Sequence, residues 1–245
     1  MGEPDLRPSW YASSDAGRPG RGREWVTVLH LPYTAWHLAY VLIGAGLVVD
    51  LSVGRLLATL LAFALAVGVA AHGFDELHGR PLGTTIPSRV LGTVSALALA
   101  GAVAIGILGI ARVGWGLAVF IVAGTALVLA YNLELAGGRL HNDAAFALAW
   151  GSFPVLTAYY AQAGTISVSA VLAAAYAYGL SCAQRHLSTE ARHLRRRVAT
   201  VSGQKTYSDG SSVPVTRELL LRPIERALVA LSWSTCALGV ALVVR

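Results

Sequence analysis

Charge is what this chain has least of. Asp, Glu, Lys and Arg make up 13% of its 245 residues, where soluble domains carry about a quarter. Hydrophobic residues reach 55% and mean hydropathy is +0.59, which excludes an ordinary soluble domain. Cysteine is nearly absent as well. Cys182 and Cys236 both fall in or at the end of apolar runs, which argues against a structural disulfide and says little about redox compartment. Residues 1–25 lack an apolar core but hold Pro, Gly, Ser and four arginines. The expectation there is a loosely ordered cytoplasmic tail and no cleaved signal peptide. No internal repeat and no appended soluble domain stands out.

What the chain does have is apolar runs, at roughly 33–53, 56–74, 90–111, 114–133, 143–163, 165–184 and 223–244. Each is near the ~20 residues a helix needs to cross hydrocarbon. His37 interrupts the first and Pro154 the fifth, which neighbouring helices accommodate in a membrane bundle. The expected fold is all-α, a polytopic transmembrane helical bundle of about seven spans, with 26–245 as its single domain. A cytoplasmic loop and hairpin is expected at about 186–222, with Asp209-Gly210 as the turn.

The formal charge of +6 reads as topology and lipid contact, not as nucleic-acid binding. Arg7, Arg18, Arg21 and Arg23 lie in the tail, Arg80 and Arg89 in the second loop, and Arg139 in the fourth. Arg185, Arg192, Arg195, Arg196, Arg197, Lys205, Arg217 and Arg222 follow in the sixth. The opposite side has Arg55, Arg112 and Arg245. The positive-inside rule then sets the N-terminus in the cytoplasm and the C-terminus outside. An integral protein of the plasma membrane, with its active face cytoplasmic and membrane lipids as partners, is expected. Its oligomeric state is not legible.

Between the second and third runs lies a dense polar stretch, His72-Gly73-Phe74-Asp75-Glu76-Leu77-His78-Gly79-Arg80-Pro81. On a helix, His72, Asp75 and Glu76 share one face. Such a cluster can hold a cation or work as an acid–base pair; the alternative is a solvated loop whose charges pair among themselves. All seven histidines fall in cytoplasmic loops or within about two turns of that face. His186 and His193 flank Glu190 at helical spacing, as in di-iron bundle sites. A shared site would draw on His72, Asp75, His78, His141, His186, Glu190 and His193. Imidazole suits iron, zinc, copper or manganese, and such a site would make a lipid oxidoreductase. His37, inside a span, is either functional or a satisfied neutral histidine.

The fourth loop contributes Ala130-Tyr131-Asn132-Leu133-Glu134-Leu135, then Arg139 and Asn142, before a helix with Gly151-Ser152-Phe153-Pro154. With Asp75, Arg80-Pro81 and Ile86-Pro87-Ser88, this order resembles the UbiA superfamily of intramembrane prenyltransferases over roughly residues 30–203. That resemblance implies a transferase acting on an isoprenoid or lipid-like substrate at the cytoplasmic face. It implies Asp75, Glu76 and Glu190 as cation-binding catalytic acids, and magnesium as the divalent ion. Arg80, Tyr131, Arg139 and Asn142 become the substrate-binding residues. Aligned on Asp75, the family's other first-motif acids fall on His72 and Gly79, and its usual nine helices exceed the runs seen here. A non-catalytic lipid-binding or transport protein is the third reading.

The topology makes a first prediction. In a Cys182→Ser, Cys236→Ser background, cysteines introduced at Thr165 and Gly210 label from opposite sides of the membrane, Gly210 from the cytoplasm. Labelling from the same side overturns the arrangement.

Overall fold

The computed structural model describes residues 21–135 and 137–245. The tail expected over 1–25 lies outside the described residues up to residue 20, and its last five residues are helical, opening α1 (Arg21–Leu29). His30, in the left-handed region at φ 44°, separates α1 from α2 (Leu31–Gly46). Pro32 sits in the first turn of α2, where its missing N–H is one of the unpaired ones anyway. Ser52 caps α3 (Val53–Phe63) by accepting from the Arg55 N–H. The helix then runs unbroken through a π-helical segment, Ala64–Ala71, into α4 (His72–Leu77).

Pro87 precedes α5 (Ser88–Val113), and α6 (Leu117–Asn132) returns after a short turn at Gly114. Asn142 caps α7 (Asp143–Ala147), which passes through a second π segment, Leu148–Ser152, into α8 (Phe153–Ala163). Ser167 caps α9 (Val168–Arg196). β1 (Gln204–Thr206) and β2 (Ser212–Pro214) pair antiparallel, with Lys205 opposite Val213. Their turn spans Tyr207 to Ser211 and includes Asp209-Gly210. The Ser211 hydroxyl and N–H both donate to Asp209 and hold its carboxyl below the usual range. Thr216 then caps α10 (Arg217–Val243).

All seven expected runs become helical, and four meet the length and apolarity that crossing requires: Glu24–Gly46, Val53–Leu77, Ser88–Val113 and Arg217–Val243. The apolar α6 has 16 residues, about 24 Å of helix against roughly 30 Å of hydrocarbon. The segments around α8 and α9 carry inward polar groups instead. Ser152 donates to the Ala174 carbonyl, Gln162 bonds Ser52, and Ser181 and Gln184 meet tyrosines of α2.

α2 runs through the middle of the bundle, packed most closely against α8 and α10. Small residues permit the approach, as lipid-embedded helices require. A Cβ at Gly44 would collide with the Val155 carbonyl oxygen of α8, and one at Gly239 would lie 2.9 Å from the Ala39 oxygen. The two ends of the bundle differ in chemistry. At one end, Arg55 donates to the carbonyls of Gln162 and Arg112, and Arg245 to those of Gly46 and Val48. At the other, His78 lies 3.6 Å from Glu134 and an ion pair joins Arg185 to Asp143, gathering the loops that carry most of the basic residues.

Gly44→Val forces α2 and α8 apart and lowers stability by roughly 1–3 kcal/mol, the usual range for overpacking. Gly54→Ala, with nothing within 4 Å of its Cβ, leaves it unchanged or slightly higher. Thermal unfolding in mild detergent compares the two; equal effects would mean that the close approach contributes nothing.

Candidate functional site at the basic end of the bundle

Both π segments lie next to the polar end, and each has a carbonyl bonded to a histidine. His37 Nδ1 approaches the Trp150 oxygen at 2.9 Å, and His72 Nδ1 approaches the Gly68 oxygen at 3.3 Å. A carbonyl only accepts, so Nδ1 carries the proton in both contacts. His37 is therefore a satisfied interior histidine, buried among Tyr33, Tyr40, Phe146 and Trp150. His72 packs against His30 at 5.6 Å between ring centroids.

The acidic pair on α4 divides its labour. Glu76 is fully buried. Its Oε2 accepts from the Leu82 N–H at 2.9 Å, and its Oε1 from the Thr84 N–H and hydroxyl at 2.9 and 2.7 Å. Arg80 closes the same loop by donating to the Ile86 carbonyl and the Ser88 hydroxyl, both at 2.7 Å. Glu24 of α1 joins them by accepting from Thr85. Glu76 and Arg80, expected as catalytic acid and substrate ligand, thus hold the loop between α4 and α5 in shape. Asp75 faces the other way. It is partly buried, within electrostatic reach of His141, Glu76, Arg192 and Arg185.

Around Asp75 the other groups assemble from four elements. Tyr131, at the end of α6, stacks on His141 at 4.6 Å, and its hydroxyl is buried with no hydrogen-bond partner among the described residues. Arg185, Tyr33, Asp75 and Asp143 act on it electrostatically. Arg185 of α9 donates to Asp143 at 2.9 Å and lies over the Phe146 ring at 5.1 Å. Tyr33 of α2 donates to Gln184 at 3.0 Å, one turn before Ser188 on α9. At the rim, Glu134 lies between His78 (3.6 Å) and His141 (3.8 Å).

The expected site residues separate accordingly. Asp75, Tyr131 and His141 come together, with His78 at the edge through Glu134. Asn142 serves as the cap of α7, accepting from the Ala145 N–H. Arg139, Glu190 and His193 are exposed, and His186 bonds the Cys182 carbonyl one turn back along its own helix. Among the described residues no three His, Cys, Asp or Glu side chains form a group able to hold a metal ion. The seven-residue ligand set is thus not one site. Tyr33, Gln184 and Arg185 are the members that the sequence reading left out. The signal for Gln184 and Arg185 was an inward polar stripe on α9, with Ser181, Gln184 and Ser188 at helical spacing and all buried.

Beneath this cluster an apolar cavity of about 820 Å³ opens among α3, α5, α6 and α8. Phe63, Val67, Leu99, Val128 and Trp150 line its inner part, and Arg55 and Arg112 its far end. Val128 is one turn from Tyr131, and the Trp150 ring meets Tyr131 edge-on at 5.7 Å. The cavity therefore ends where the polar cluster begins. No protein-family model matches the chain, and no match is found among curated proteins or solved structures.

Glu76→Gln turns an amide donor toward one of the loop's own donors. It lowers stability by roughly 2–3 kcal/mol, as for loss of hydrogen bonds to a charged group. Asp75→Asn changes stability by less than about 0.5 kcal/mol, the usual scale away from such networks. Unfolding of both variants in detergent checks the contrast; the reverse ranking would make Asp75 the structural acid.

Proposed function

We propose that the chain binds and acts on an isoprenoid or lipid-like amphiphile, its tail in the apolar cavity and its head at the Asp75–Tyr131–Arg185 cluster. The junction at Trp150 carries this reading. A cavity of about 820 Å³ lies within the range of small-molecule sites, about 300–1,000 Å³. A chain that leaves it past Trp150 meets an unpartnered tyrosine hydroxyl, an aspartate and a guanidinium. Buried polar groups placed beside an apolar cavity fix the orientation of an amphiphile.

The resemblance to UbiA prenyltransferases supports transfer of an isoprenoid as the chemistry. There a diphosphate leaves, and an acceptor captures the allylic cation. The residues here do not fit a resident magnesium ion, which wants near-octahedral oxygen ligands. Glu76 is engaged with the loop, Glu190 is exposed on α9, and Asp75 is left alone. No step is routed through a protein-held ion. The cations facing an anionic head are the guanidinium groups of Arg185 and Arg192, each within electrostatic reach of Tyr33 and Asp75. Binding or transport without chemistry rests on the same cavity, and release of diphosphate distinguishes the two.

Geranylgeranyl diphosphate should raise the melting temperature of the purified protein in mild detergent. Val103→Trp, which fills the cavity from α5, should weaken that binding about tenfold, equivalent to roughly two methylenes denied burial. Asp75→Asn should retain binding and abolish any release of diphosphate. Binding that is indifferent to Val103→Trp sinks the cavity assignment. Release that survives Asp75→Asn removes the aspartate from the chemistry.

A further inference from the structure

We propose that the groove between the hairpin and the first turns of α10 binds the phosphate headgroup of an anionic membrane lipid. The groove encloses about 430 Å³ and is lined by Lys205, Arg222 and Arg226 over an apolar floor that includes Leu219, Leu220 and Pro223. No acid lines it. Two of the acids nearby are engaged elsewhere. Glu225 pairs with Arg195 at 2.6 Å, and Asp209 accepts from Ser211. Glu218 pairs with Arg222 at 2.9 Å across one exposed turn, a weak contact of the kind a phosphate displaces. Lys205 is held over the Tyr207 ring, its ammonium 4.9 Å from the centroid. The proposal rests on neither the cavity nor the chemistry proposed above.

Position on the helix identifies the occupant. Leu219, Arg222, Pro223 and Arg226 are spaced to share one face of α10. The same stripe continues through Ala230, Trp233, Ala237 and Val240, where Trp233 is 64% and Val240 50% exposed. That surface belongs to a helix apolar and long enough to cross a membrane. From Arg226 to Val240 it extends about 21 Å along the axis, enough to run beside an acyl chain through one leaflet of about 15 Å. A soluble phosphate would use only the cations. A phospholipid uses the cations for its head and the stripe for its tails, and basic pockets at the ends of spanning helices suit anionic lipid heads.

Native mass spectrometry of the whole protein in mild detergent tests this, with phosphatidylglycerol or phosphatidylcholine added. Phosphatidylglycerol should be retained as a discrete adduct at least about tenfold more tightly than phosphatidylcholine, since each neighbouring cation contributes about fivefold. The triple variant Lys205→Gln, Arg222→Gln, Arg226→Gln should lose that preference while melting normally. The control Arg89→Gln, Arg196→Gln, Arg197→Gln removes the same charge from the same end, outside the groove, and should keep it. Equal retention of the two lipids overturns the proposal. So does an equal loss in both triple variants, which would mean general attraction to a basic surface. Displacement of the lipid by millimolar inorganic phosphate alone would make the groove a site for soluble phosphate and overturn the lipid assignment.

Discussion

A backbone carbonyl released from its helical partner inside hydrocarbon has no water to turn to. This chain carries two π-helical segments, Ala64–Ala71 and Leu148–Ser152, where the backbone pairing is shifted by one residue from the α-helical pattern. His72 answers for one through Gly68, and His37 for the other through Trp150. Much of the polar end depends on those two bonds. The first π segment sets how α4 is turned, and so which way Glu76 and Asp75 face. The second sets the placement of Trp150, the wall shared by the apolar cavity and the polar cluster. Histidine suits the task because its ring presents an N–H donor while remaining neutral and compact.

The helices were legible in the sequence because long apolar runs have few other solutions in a membrane. The caps were not singled out, although Ser52, Asn142, Ser167 and Thr216 each stand just before a helix and accept from it, and Asn142 had been expected to bind substrate. Roles within the polar stretch were not legible either. Spacing places His72, Asp75 and Glu76 on one side of a helix, yet it does not say that the following loop folds back over Glu76. That loop decides the matter, since Leu82 and Thr84 supply three donors to one carboxylate. A motif of arginine, prolines and serine similarly reads as a ligand set until Arg80 is seen binding Ile86 and Ser88.

The histidines show the opposite error. Their clustering at one end suggested a common purpose, but proximity along a membrane normal is not proximity in the plane. His186 and His193 look outward from α9, and His37 looks into the core. The groups that do converge come from helices distant in the chain: Tyr33 on α2, Tyr131 on α6, Arg185 on α9. Their meeting depends on helix order in the bundle, which no single segment encodes.

The loop between α4 and α5 has a kinetic consequence. Glu24, Glu76 and Arg80 together fasten its backbone and hydroxyls at Leu82, Thr84, Thr85, Ile86 and Ser88. A segment tied at so many points makes a poor gate, because opening it would strip a buried carboxylate of every donor at once. Traffic of the proposed amphiphile to the interior then falls to the seams between helices, where alkyl side chains yield by rotamer changes on the nanosecond scale. The pace of exchange would be set by how molecules arrive through the bilayer, not by a hinge at its surface.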